Sequence, residues 1–519
     1  MAVSESLVWL DGTARATSAD VGGKAASLDR LASLGLTVPP AFALPIPLCA
    51  EFRRVGGRLP QDAATALRDG MTRIEEATGK RFGDSSAPLL VSVRSGAAVS
   101  MPGMMDTVLN VGMTAQVEAA LGRITEDPRF ASDTGRRFRE QFERVVGRTP
   151  SEDPWEELSA AAEAVFASWE SDRAVQYRTH HGIPHEGGTA VTVQAMVFGN
   201  LDDASGSGVL FSRNPLTGSA EPYGEWIPRG QGEDVVSGRV DAHPLAELAT
   251  SLPDVHAELL AAAALLERQT TEVQDIEFTV ESGRLFLLQT RTAKRSPDAA
   301  ARFSVSMCRE GVISRDEALR RITDAEVATL LRPRIEPNAR RAAVVLKRGE
   351  PASPGVGSGR VATSSEMVEA LADEDVAAVL VRPTTDPEDT AGMLLATAVV
   401  TEVGGATSHA AVVSRELGTP CVVGVGTGTL AALCGRDVTV DGATGEVFDG
   451  VVPLAPSTEH DHPDLAVLAD WARAVTGATG PARTVIAEAR RLIQAGDSGA
   501  GEHSPSPSNQ PNPATGGRS

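Results

Sequence analysis

Gly404-Gly405-Ala406-Thr407-Ser408-His409-Ala410-Ala411-Val412-Val413-Ser414-Arg415 is the stretch from which the rest of this chain can be read. Two glycines and two small hydroxyl residues deliver one histidine to the start of a predicted helix, from about Ser408 to Leu417. Gly418 supplies its C-cap and Pro420 its stop. The β-rich run Ala398–Thr401 precedes it and Cys421–Val425 follows, giving strand, glycine turn, helix, strand. That alternation predicts an α/β (α+β) fold. A histidine in a first helical turn stands where free backbone N–H groups and the helix dipole favour an anion. The same dipole disfavours imidazolium, leaving a neutral, nucleophilic ring. Both effects suit a histidine that takes up a phosphoryl group, although position alone would equally fit a satisfied core histidine.

A phosphoryl carrier needs a donor site, and three other stretches have the right chemistry. Gly22-Gly23-Lys24 opens a helix near the N-terminus, without the spacing of a P-loop. The apolar run Leu89–Val93 ends in Arg94-Ser95-Gly96, and Ser100-Met101-Pro102-Gly103-Met104 follows as a loop small enough for its backbone to approach phosphates. Gln274-Asp275-Ile276-Glu277-Phe278 alternates acid with apolar, which puts Asp275 and Glu277 on one face of a strand. After a turn at Gly283, Leu285–Leu288 leads into Gln289-Thr290-Arg291. Oxygen ligands of this kind suit Mg²⁺ on nucleotide phosphates, and arginine offers a planar fork to phosphate oxygens.

The segment from Gly404 to Val425 resembles the phosphohistidine motif of the phosphoenolpyruvate-utilising enzymes, and most of all that of the pyruvate, phosphate dikinase family. Val381-Arg382-Pro383-Thr384-Thr385-Asp386-Pro387-Glu388-Asp389 and Pro351–Gly355 are similar to that family's lead-in to the same domain. Val193–Asn200, Ser212–Pro215 and Gln231–Gly238 are similar to its nucleotide-domain core, with Ser212 where threonine is usual. The resemblance implies an ATP-grasp domain joined to a swivelling phosphohistidine domain. It implies Mg²⁺-dependent transfer from ATP to His409, with inorganic phosphate as co-substrate and AMP and pyrophosphate as products. By motif, Lys24 and Arg94 would hold the triphosphate, and Asp275, Glu277 and Gln289 the metal. Arg291 would stand beside the transferred phosphate, and Arg137 would handle inorganic phosphate. Thr407 matches a threonine that is a regulatory phosphorylation site in plant members.

Composition sets outer limits. A chain of 519 residues, 42% hydrophobic and 23% charged, can bury more than one core. A net charge of −21 argues against nucleic acid or an anionic membrane as partner. ATP must then be met by local positive charge, which Lys24, Arg94 and Arg291 would provide. Cys49, Cys308, Cys421 and Cys434 share no metal spacing and read as thiols in a reducing compartment. With no signal peptide and no long apolar run, a cytoplasmic location is expected.

The boundaries expected are a nucleotide domain over 1–295, a helical connector over 296–349 and a histidine domain over 350–452. Residual linker helices over 453–495 and a Gly/Ser/Pro-rich disordered tail over 496–519 complete the chain. Thr134–Val146 and Trp155–Tyr177 read as amphipathic helices, and Ser314–Glu317 as a capping box. The stretch after Arg473 is too short for the (β/α)₈ barrel of about 250 residues that follows in full dikinases. The expected acceptor is therefore a separate phosphoenolpyruvate/pyruvate-binding protein. A phosphoenolpyruvate synthase-like or antibiotic phosphotransferase-like enzyme, or a non-catalytic regulatory relic, would share the same two domains.

Overall fold

Six of the seven residues of the strand Val91–Ala97 are buried, and the exception is Arg94. A strand so apolar belongs at the centre of a sheet. It pairs with Thr189–Ala195 on one side and Thr107–Val111 on the other, and Ala41–Leu44 and Val8–Trp9 complete an antiparallel five-stranded sheet. A second antiparallel sheet runs His243–Pro244, Tyr223–Pro228, Gly206–Phe211, Gln274–Glu281, Arg284–Thr292. The computed structural model describes residues 6–99, 101, 104–237, 242–405 and 407–500. Ser100, Pro102 and Gly103 of the methionine-rich loop, Gly238, Ala406 and the tail beyond 500 lie outside the described residues.

The helix Ser18–Ser33 packs between these sheets, and one glycine decides how. Gly22 has φ +78°, and a Cβ there would stand 2.0 Å from the carbonyl oxygen of Gly96. Only a glycine kink lets the helix lie this close to the Arg94 strand. Five residues on, Ser27 Oγ donates to Thr290 O at 2.8 Å and accepts from Thr290 N at 3.0 Å. The helix is thereby fastened to both sheets, and Lys24 lies between the two fastenings.

The third sheet has eight strands. Its centre, Val356–Ala362, Ala378–Arg382, Ala398–Thr401 and Cys421–Val423, is parallel, which requires crossovers. Ser365–Asp373, Thr390–Leu395 and His409–Leu417 provide them. Alternate residues feed two cores: Leu380 and Val399 face one, Val379, Val381 and Val400 the other. The histidine helix therefore starts just beyond the carboxyl ends of parallel strands, where α/β sheets place ligands.

Among the described residues the chain forms two compact units. One holds the residues up to Ser296 together with Arg334–Ala455, hence all three large sheets. The other holds Pro297–Pro333 with the residues from Pro456 onward and is helical. The stretch expected as a connector, 296–349, thus divides at Pro333. Val345–Arg348 is an edge strand of the eight-stranded sheet, and Arg334–Ile335 pairs with Leu454–Ala455. Within the helical unit Arg490 donates to Ile322 O at 2.7 Å, and Arg302 meets Asp464 at 3.3 Å. The last helix, Ala482–Ala500, runs past the 495 boundary.

Three local readings are refined. The helix expected from Thr134 begins at Pro128, because Asp127 accepts from the N–H groups of Arg129 and Phe130 and proline fits the first turn. The stretch Trp155–Tyr177 is two helices, Pro154–Ala167 and Asp172–His181, since Ser171 caps the second at Ala174 N. Ser314 caps its helix at Glu317 N, but the Glu317 carboxylate holds Arg320 and Arg321, so only half of the capping box forms. The full box is at Thr323 and Glu326.

Candidate active site

The two strands of the second sheet bring four polar side chains together by register. Asp275 lies opposite Arg291, and Glu277 opposite Gln289, just before an irregularity between Glu277 and Phe278. Arg291 Nε donates to Asp275 Oδ2 at 2.8 Å, which leaves Asp275 Oδ1 buried with no hydrogen-bond partner among the described residues. Asp275 is only 3% exposed. Burial pushes its carboxyl up while Arg291 pulls it down, and Asp275 in turn holds Arg291 firmly protonated. From the first sheet, Arg94 reaches across to Gln289 Oε1 at 3.4 Å and Glu277 Oε2 at 3.8 Å.

Lys24 completes this end of the site. Burial, then the neighbouring Arg94, depress its ammonium to about 7, with Glu277 opposing and Arg291 adding to the fall. A lysine held beside two arginines awaits an anion. All six residues line one cavity of about 610 Å³. Met101, Met105, Leu109, Ala195 and Met196 add apolar lining. The size is that of a small-molecule site, with both charged and apolar side chains in its wall.

His409 lines the same cavity, together with Thr385, Asp386 and Thr407. It is the first residue of the helix His409–Leu417, which Gly418 ends in the left-handed conformation. Its Nδ1 is 3.1 Å from Thr385 Oγ1, and its Nε2 is buried without a hydrogen-bond partner among the described residues. Burial lowers the imidazole pKa below the usual value, although Asp386 and Asp389 pull the other way. The ring is neutral near pH 7, with one nitrogen held and one open.

The loop before His409 is seated on the nucleotide side. Thr407 Oγ1 donates to Glu225 Oε2, and a Cβ on Gly405 would stand 2.4 Å from Glu225 Oε1. Glu416 accepts from Lys294 at 2.9 Å, and Tyr223 Oη donates to Glu350 at 2.7 Å. Arg415, 4% exposed, donates to Ala352 O at 3.0 Å. Histidine and donor groups are thus held in one chamber.

Oxygen donors at this end fit a hard divalent cation. Asp275 Oδ1 is an orphaned buried acceptor, with the Glu277 carboxylate and the Gln289 amide beside it. Among the described residues no group of three or more His, Cys, Asp or Glu side chains could hold a metal alone. A cation here would therefore share its coordination with amide and substrate oxygens.

A family model described as "Pyruvate phosphate dikinase, AMP/ATP-binding domain" matches residues 57–246, and one described as "PEP-utilising enzyme, mobile domain" matches 375–445. The chain is 39% identical to pyruvate, phosphate dikinase of Rhizobium meliloti over 92% of this chain and 61% of that protein. It is 38% identical to pyruvate, phosphate dikinase 2 of Zea mays, over 87% and 57%, and 36% identical to the dikinase of Clostridium symbiosum, over 83% and 56%. The chain carries the nucleotide-binding and mobile domains of the pyruvate, phosphate dikinase family. It spans less than two thirds of the length of these curated dikinases.

Not every residue singled out by the dikinase resemblance enters the chamber. Arg137 is outside its lining, tied to Asp133 at 2.7 Å and to Asp234 at 2.9 Å. Asp234 also accepts from the backbone of Gln231, a lining residue, so Arg137 acts one step removed. Ser212 donates to Glu267 at 2.6 Å and accepts from Gln274 N at 3.0 Å, which makes its hydroxyl an anchor for the Asp275 strand. Ser27, Glu225, Thr385 and Asp389 carry roles that the sequence alone did not assign to them. Their partners lie far away in the chain or in another turn, and only the hydroxyl-and-acid run Thr384–Asp389 carried a local hint.

Proposed function

We propose that this dikinase-family chain transfers a phosphoryl group from ATP to Nε2 of His409, with inorganic phosphate as co-substrate and AMP and pyrophosphate as products. One observation carries the reading: His409, whose buried Nε2 has no hydrogen-bond partner among the described residues, lines a single chamber with Lys24, Arg94, Asp275, Glu277, Gln289 and Arg291. Transfer between phosphate and nitrogen needs in-line approach and neutralised charge more than covalent help. Lys24 and Arg94 would grip the non-transferred phosphates, and Arg291, stiffened by Asp275, would meet the charge developing on the transferred group. Asp275, Glu277 and Gln289 would hold Mg²⁺, which supplies charge neutralisation among the phosphates. The apolar lining would take the adenine ring.

In this reading residues 1–295 serve the nucleotide and residues 350–452 carry the phosphohistidine, in a cytoplasmic setting where ATP is at hand. The acceptor is pyruvate, by analogy with the names of the relatives. The test uses ATP labelled at the β-phosphate, with Mg²⁺ and inorganic phosphate. Acid-labile, base-stable label is expected on His409 and none on His409→Ala. Label arriving only from the γ-phosphate would overturn the dikinase chemistry.

A further inference from the structure

The imidazole of His409 is held from one side only. Nδ1 meets Thr385 Oγ1 at 3.1 Å, whereas Nε2 has no partner among the described residues. Thr385, 4% exposed, follows the strand Ala378–Arg382 and lies in a turn fixed by one carboxylate. Asp389, 5% exposed, accepts from Asp386 N at 3.0 Å and from Ser365 Oγ at 3.3 Å, and meets Arg382 Nε at 3.2 Å. Arg382 is fixed in turn by donating to Thr363 O at 3.1 Å. A buried acid that ties two neighbouring turns and an arginine holds Thr385 against the ring and leaves it little freedom.

We propose that Thr385, held in place by Asp389, is the positioning residue that selects which imidazole nitrogen takes up the phosphoryl group. The proposal rests on His409 as the carrier and adds how its reactive atom is chosen. A neutral imidazole has one proton and one lone pair, on different nitrogens. With the proton on Nδ1 and donated to Thr385 Oγ1, the lone pair is on Nε2, the nitrogen left without a partner in a ring that lines the chamber. In the transfer, that lone pair forms the new N–P bond. The bond from phosphorus to the leaving phosphate oxygen breaks, and its electron pair departs with that oxygen. The Nδ1 proton stays on the ring, so the phosphorylated imidazole is cationic and its hydrogen bond to Thr385 becomes charge-assisted and stronger. The contact thus favours the product over the reactant, as a positioning group should. In the opposite tautomer Nε2 carries the proton and has no lone pair with which to attack.

The experiment compares the wild-type full chain, Thr385→Val, Thr385→Ser and Asp389→Asn, each with ¹⁵N-labelled histidine. The tautomer of His409 is read from its ring ¹⁵N shifts, and the rate of labelling from β-labelled ATP is measured in parallel. Wild type and Thr385→Ser are expected to hold the proton on Nδ1. Thr385→Val should lose that preference and label about tenfold or more slowly, the scale of losing a group that orients a reactive histidine. Asp389→Asn should move the tautomer in the same direction. An unchanged tautomer in Thr385→Val overturns the proposal, whatever its labelling rate. A Thr385→Ser protein as impaired as Thr385→Val overturns it too, because packing rather than the hydroxyl would then be at work. Absence of label on wild-type His409 would instead defeat the carrier assignment, and the proposal with it.

Discussion

A lysine depressed to about 7 beside two arginines is a proton acceptor for whatever anion arrives. Polyphosphate bound there favours the ammonium form and raises the pKa, so binding above pH 7 draws a proton from solvent. Nucleotide affinity should weaken as pH rises from 7 to 8.5, approaching about tenfold per unit when the uptake is a full proton. Calorimetry at pH 8 in buffers of different ionisation heat should show this uptake in wild type and none in Lys24→Met. His409 behaves differently. Burial lowers its pKa, so acid rather than base removes the reactive ring. Labelling should stay level between pH 8 and 7 where nucleotide is saturating, and fall only at pH values more acidic than those at which a free imidazole titrates. At this scale the charged partners of the chamber were legible, because an apolar run that gives way to Arg94, or a strand that alternates Asp275 and Glu277 with apolar residues, advertises itself. Thr385 and Glu225 were not, since a threonine in a turn and a glutamate in a buried strand carry no pattern until their partners are known.

The elements carry the geometry that single residues cannot. Register sets Glu277 opposite Gln289 and Asp275 opposite Arg291, so each substitution removes charge without touching the apolar face beneath. Glu277→Gln should abolish labelling of His409 while leaving the melting profile close to wild type, whereas Arg291→Ala should abolish labelling and also lower the melting temperature, because it strands the buried Asp275 carboxylate. Unchanged labelling in both would move the donor site elsewhere. Gly22→Ala tests the lysine helix. Its Cβ would press on Gly96 at a positive φ, a strain of about 1–3 kcal/mol before any clash relaxes. A lower melting temperature and weaker nucleotide binding should appear together, because the same kink seats Lys24. Helix ends and crossovers were largely readable from glycine, proline and the period of the apolar residues, as the Gly418 cap illustrates. The division at Pro333 was not, since it depends on which distant strand Val345–Arg348 finds to pair with.

For the whole molecule, polar contacts among the described residues help seat the histidine loop: Thr407 with Glu225, Glu416 with Lys294, Tyr223 with Glu350. Thr407→Glu would set a second carboxylate against that of Glu225, in a place where both side chains are buried. Labelling of His409 should fall by about tenfold or more, with nucleotide affinity unchanged. A wild-type rate in that variant would dismiss Thr407 as a regulatory position of the electrostatic kind. The seated arrangement also bears on timing. In the proposed transfer His409 would form part of the wall beside the nucleotide, so nucleotide would enter and AMP leave while the histidine loop is lifted, and transfer would occur while it is down. Such a protein would work as an airlock, with exchange and chemistry in separate moments and little time for water at an activated phosphate.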